Sequence, residues 1–95
     1  MIERHVTFNV LSDKCQEFET FFVEKYRPGM ATMRGFLKVE LLREAQQPTQ
    51  YQMVIRFESA EASAEWRGSA IHQSLQPVLK SLYSESKLQV YDVVA

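Results

Sequence analysis

Apolar residues recur every second position from Glu3 to Val10, then switch to helical spacing at Cys15, Phe18, Phe22 and Tyr26. Alternation returns from Phe36 to Arg43 and again from Gln50 to Glu58. A second helical stretch carries Trp66, Ile71, Leu75, Val78 and Leu79, and a last alternating stretch runs from Lys87 to Val94. A period of two puts one apolar face on a strand, and a period near 3.6 puts one apolar stripe on a helix. The order is therefore β-α-β-β-α-β, two split βαβ units. Right-handed crossovers fold that order into an α+β, ferredoxin-like domain: a four-stranded antiparallel sheet with both helices on one face and strands one and three central. With 95 residues, the chain is one domain, 1–95.

Local signals punctuate these elements. Ser12-Asp13, with Gln16 behind it, predicts a capping box for the first helix. Pro28-Gly29 predicts an interruption of that helix, with Met30 to Met33 adding one more turn before Gly35 stops it. The polar segment Glu44 to Thr49 joins the second and third strands as a hairpin. Ser59 predicts a cap for the second helix, Gly68-Ser69 a break and restart, and Pro77 a bend or a new first turn.

Alternation assigns the sheet face opposite the helices to His5, Thr7 and Asn9, Phe36 to Leu42 on even positions, Gln52, Val54, Arg56, and Gln89, Tyr91, Val93. That face is too apolar for an ordinary wet sheet. It predicts a homodimer in which two copies close these faces into a barrel, the competing reading being a solvated face on a monomer. Arg56 lies within this face and requires a carboxylate, for which Glu40 is the expected partner. Arg4 falls on the other alternation, at the edge of the core face.

Charge and composition narrow the partners. A net charge of −1 with no basic cluster offers nothing to a phosphate backbone, so nucleic acid is not expected. No apolar run approaches the ~20 residues that span a bilayer, so no membrane partner is expected. Met1 to His5 has no apolar signal region and Cys15 is the single cysteine, which together point to the reducing cytoplasm. His5, His72 and Cys15 lack metal-ligand spacing, and Gly29, Gly35 and Gly68 are isolated, so neither a metal nor a nucleotide cofactor is expected.

Chemistry concentrates at Trp66-Arg67-Gly68-Ser69-Ala70-Ile71-His72. An indole, a hydroxyl and an imidazole recur at three-residue spacing, so on one helical path they line one wall. Trp66 is a stacking surface for a flat ligand or a core tryptophan. His72 is a proton acceptor near neutral pH or a hydrogen-bonding surface residue. Ser69 is a substrate contact or a helix cap. Phe22 and Met33 complete the substrate-binding candidates; Met30 and Met33 line a pliable pocket entrance or fill the core.

The phrases Gly35-Phe36-Leu37, Leu41-Leu42-Arg43, Tyr51 with Arg56-Phe57-Glu58-Ser59, and Trp66-x-x-Ser69-x-x-His72 together resemble the antibiotic biosynthesis monooxygenase domain superfamily. The likeness extends from Val6 to Val93. It implies a dimeric α+β barrel with a pocket in each subunit between sheet and helices. It also implies a cofactor-independent monooxygenase-like activity on a small aromatic or quinone-like molecule, with Trp66 holding the ring and His72 taking its proton. A non-catalytic dimeric binding module of the same fold is the alternative. A haem-degrading branch of the family uses a first-strand Asn, a Trp and a His. Trp66 matches that Trp, whereas the Asn position falls on Val6 and His72 lies too near Trp66.

Overall fold

A computed structural model describes residues 1–95. The elements run β1 (Ile2–Val10), α1 (Cys15–Phe21), a π-helical turn (Phe22–Tyr26), α2 (Arg27–Ala31), β2 (Phe36–Arg43), β3 (Gln50–Phe57), α3 (Ala60–Gly68), α4 (Ala70–Lys80) and β4 (Tyr83–Asp92). The four strands form one antiparallel sheet in the order β2-β3-β1-β4, so β1 and β3 are central as expected. All helices cover one face. Burial alternates through the whole of β3, with Tyr51, Met53, Ile55 and Phe57 inside. Phe8 and Val10 of β1, Phe18, Phe22, Tyr26 and Met30 of the first helical run, and Trp66 complete the core. Its aromatic rings meet edge-on or tilted, as in Phe8–Phe18 at 5.3 Å and Phe18–Tyr51 at 5.0 Å, geometries that ring quadrupoles favour.

The first helical run departs from expectation at both ends. Ser12 and Asp13 form no capping box; α1 starts at Cys15 behind Lys14, with no side-chain cap. Nor does Pro28-Gly29 break the run, which continues to Ala31. The π turn supplies the reason. Its wider ring (Arg27 N–H to Phe22 C=O) resets the ladder, so Pro28 falls in a first turn where its missing N–H matters little. The insertion keeps Phe22, Tyr26 and Met30 all on the buried side. Met30 is thus core and not a pocket entrance.

Three further corrections concern the strands. In β2 a bulge between Phe36 and Lys38 sets two residues against one of β3. Phe36 is thereby turned to the helix side, where its ring meets Phe57 at 6.0 Å, rather than to the bare face. β4 begins at Tyr83, four residues before the alternation becomes visible, because Ser84 to Lys87 lie on an edge strand exposed to water. On the bare face Arg56 pairs with Glu3, its direct neighbour across β1 and β3, at 2.6 Å, and Glu40 is engaged by Lys38 instead. His5 also bonds Glu3, at 2.8 Å. These bonds, His5 first, hold the Glu3 carboxyl below its ordinary pKa.

Gly35 joins α2 to β2 at φ +81°, and a Cβ there would stand 2.6 Å from the Ala62 Cβ. Left-handed backbone and close approach both demand glycine. Gly35→Ala is expected to lower stability by about 2 kcal/mol or more. Urea denaturation reads this as a lower midpoint at unchanged slope, and an unaltered midpoint would mean that the α2–β2 link relaxes freely.

Candidate active site

Ser69 organises the site. Its backbone is extended (φ −71°, ψ 153°), which ends α3 and starts α4. Its hydroxyl donates to the Trp66 carbonyl at 2.7 Å and accepts from the His72 backbone N–H at 3.1 Å. Ser59 caps α3 in the same way, through Ala62 N–H at 3.1 Å. Trp66 and His72 therefore lie on two helices and not along one helical path. The break nonetheless brings their rings together, edge to face at 5.0 Å. Tyr26, at the end of the π turn, meets Trp66 at 5.6 Å and His72 at 6.3 Å. Glycine at position 29 lets α2 approach this group: a Cβ there would stand 2.8 Å from Ile71 and 3.7 Å from the Trp66 ring.

These three rings border a cavity of about 190 Å³ between the helices and the core face of the sheet. Phe57 and Met53 of β3 form part of its wall, Arg4 and Val6 enter from β1, and Arg67 and Gln76 from the helices. Trp66 is only 3% exposed, so it is a core tryptophan and a cavity wall at once. Ser69, Phe22 and Met33 do not border the cavity. The Ser69 hydroxyl is committed to the two caps. Phe22 packs in the core with Arg27 stacked over its ring at 5.5 Å, and Met33 packs half-buried beneath α2. Wider hollows elsewhere, such as the one of about 720 Å³ along Phe22, Val23 and Arg27, bring no imidazole and indole together.

Protonation follows from burial. The His72 pKa is lowered from 6.5 by burial, with Arg4 and Arg67 pushing the same way and the Arg67 backbone partly opposing. The imidazole is therefore neutral near pH 7. Gln76 Nε2 stands 2.7 Å from His72 Nε2, while Nδ1 is buried without a partner of hydrogen-bonding geometry. A carboxamide suits either state of the ring: it donates to the neutral nitrogen and, turned over, accepts from the protonated one. Burial pushes the Tyr26 hydroxyl up to about 12, so it stays protonated and can act as a donor.

Sequence reasoning missed Arg4, Arg67, Tyr26 and Gln76 as bordering residues. A signal existed for Arg4, a cation on the core alternation of a central strand. Gln76 stands one helical turn after His72. Val6 borders the cavity, and Asn9 lies exposed at the strand end with its amide on Glu85 at 3.4 Å. No group of three His, Cys, Asp or Glu side chains converges in a metal-binding arrangement. No helix is long and apolar enough to cross a membrane.

Comparison with solved structures places many close relatives in shape. A putative antibiotic biosynthesis monooxygenase from Nitrosomonas europaea superposes with a TM-score of 0.89 at 17% identity, over 100% of both chains. SnoaB, a cofactor-independent oxygenase from Streptomyces nogalater, gives 0.89 at 19% identity, over 99% of this chain and 93% of its own. A putative antibiotic biosynthesis monooxygenase from Bordetella bronchiseptica gives 0.87 at 22% identity, over 99% and 97%. At these identities the likeness shows the fold. None of the curated proteins searched matches the chain. The family model for antibiotic biosynthesis monooxygenase, however, matches residues 1–78, most of the chain. On that match, and with the ferredoxin-like sheet and helices in place, the chain belongs to the antibiotic biosynthesis monooxygenase family.

Proposed function

We propose that the protein is a cofactor-independent, monooxygenase-like enzyme that takes a small aromatic or quinone-like molecule into the Trp66–His72 cavity. The observation that carries this reading is a neutral, half-buried imidazole facing an aromatic-walled hollow of about 190 Å³. Family membership supports the reaction class, as does the description of SnoaB as a cofactor-independent oxygenase.

The residues supply what such chemistry needs. Trp66, with Tyr26 and Phe57, holds the substrate ring. The His72 imidazole accepts a proton from an acidic ring hydroxyl, Gln76 giving way at Nε2 as the substrate enters. Tyr26 donates its O–H to the oxygen on which negative charge collects. The resulting anion is electron-rich enough to react with O2. The overall change, a phenol ring C–H and O2 becoming a quinone C=O and H2O with loss of the phenolic proton, balances without an outside reductant. A macrocycle the size of haem does not fit the hollow.

The active unit in this proposal is a homodimer joined through the helix-free sheet face. What supports it is the exposure of Leu42 (48%) and Tyr91 (44%) on that face, and a ten-residue edge strand, β4, open on both sides. Sedimentation equilibrium should give twice the 11.1 kDa of one chain, and Leu42→Asp with Tyr91→Glu should return the single mass. A wild-type particle of one chain would remove the dimer.

Oxygen uptake with phenols and hydroquinones tests the activity, after thermal-shift screening has found those that bind. His72→Ala should lower kcat by roughly 10²- to 10⁴-fold while binding persists. Binding without turnover in the wild type would leave the protein a non-catalytic binding module. Because the folded imidazole titrates below 6.5, kcat/KM should be level above that pH and fall on the acid side below it. Stability should weaken in the same window, since a depressed folded pKa favours the fold only while the ring is neutral. An acid limb above 6.5 would exclude His72 as the base.

A further inference from the structure

Arg4 is the unexplained charge of this molecule. It sits half-buried on the core side of the central strand β1, at the wall of the cavity. No carboxylate lies within ion-pair distance and no hydrogen-bond acceptor engages its guanidinium, unlike Arg43 and Arg56. Those two are held by Glu19 at 3.2 Å and by Glu3 at 2.6 Å. Not one Asp or Glu borders the cavity, whereas a second cation, Arg67, stands at its exposed end. The two cations repel: burial first, then Arg67, depresses the Arg4 pKa. A half-buried, unpaired guanidinium beside another cation is unfavourable, and such arrangements mark candidate sites whose counter-charge arrives with a ligand.

We propose that the cavity is built for a single-ring aromatic carboxylate, with the ring against Trp66 and the carboxylate received by Arg4 and Arg67. This rests on the reading of the cavity as the substrate site and adds the class of substrate. Size limits the ligand to one ring: about 190 Å³ lies below the roughly 300–1,000 Å³ of common ligand pockets and near the roughly 150 Å³ that accepts benzene. Guanidinium groups match a carboxylate with paired, parallel N–H donors, which an ammonium cannot do. The arrangement also serves the chemistry. Cations flanking the ring stabilise the second negative charge that forms when His72 removes a proton from an already anionic hydroxybenzoate.

Isothermal titration calorimetry of the full chain with 4-hydroxybenzoate, 2,5-dihydroxybenzoate, 4-hydroxybenzamide and hydroquinone tests the proposal. The two carboxylates should bind about 10- to 100-fold more tightly than the neutral amide, the range expected of charge-assisted hydrogen bonds. Arg4→Gln should abolish that preference, weakening the carboxylates far more than hydroquinone, and Arg4→Lys, which keeps the charge without the paired geometry, should fall between. Added salt should weaken the carboxylates and spare the neutral rings. Equal affinity for acid and amide, or a carboxylate preference that survives Arg4→Gln, overturns the proposal. Where hydroquinone binds and the carboxylates gain nothing, only the anion preference falls. Where no ring of either kind binds, the cavity reading falls with it.

Discussion

The Ser69 hydroxyl makes two hydrogen bonds on which the geometry of the site depends. One closes the end of α3 on the Trp66 carbonyl, and the other opens α4 on the His72 amide. Were α3 and α4 one uninterrupted helix, residues 66 and 72 would be displaced by nearly two turns along its axis. Ending and restarting the helix within one extended residue folds that distance away, and the two rings meet at 5.0 Å. Ser69 thus positions both rings without touching the cavity. Its reading as a cap and its proximity to the site are both explained by one pair of bonds.

Tyr26 reaches the same group by a different device. In an unbroken α-helix the residues of the first helical run would drift off the buried stripe on the way from Phe18 to Met30. The π turn at Phe22–Tyr26 accommodates an extra residue in the turn and so cancels that drift, keeping Tyr26 over Trp66. It also places Pro28 where no backbone donor is required, so Gly29 can follow within the helix and press close to Ile71 and the indole. The aromatic wall is therefore assembled from two helical irregularities, a bulge in one run and a break in the other.

Much of this was legible from residue order. Period-two and helical stretches predicted the element sequence, the central strands and the caps at Ser59 and Ser69, because apolar alternation is read by the same sheet that buries it. What escaped was whatever depends on hydrogen-bond register. The bulge at Phe36–Lys38 turns Phe36 to the core, and a strict alternation cannot anticipate one extra residue. The first half of β4 is polar because an edge strand faces water, so its strand character left no periodic trace. The Glu3–Arg56 pair was hidden for a related reason: opposite charges pair across neighbouring strands only once the β1–β3 register is known. Trp66 and His72 stood out by residue type. Arg4 did not, since a single cation on a core alternation reads first as a long side chain reaching for water.

The cavity draws its border from β1, β3, β4, α3, α4 and the π turn, so β1 is one of the walls on which its shape rests. A chain of 95 residues buries a modest fraction of its surface, and its β4 edge leaves Leu88 at 46% and Val90 at 53% exposed on the helix side as well as Tyr91 on the other. A strand open on both faces adds little to a small core. Covering it would stabilise β1, its only partner in the sheet, and β1 is the strand that carries Arg4 and Val6 to the cavity. Cover on the bare face would thus act on the cavity through the rigidity of β1. The relative placement of the imidazole, the aromatic wall and the unpaired guanidinium is only as firm as the strand behind them.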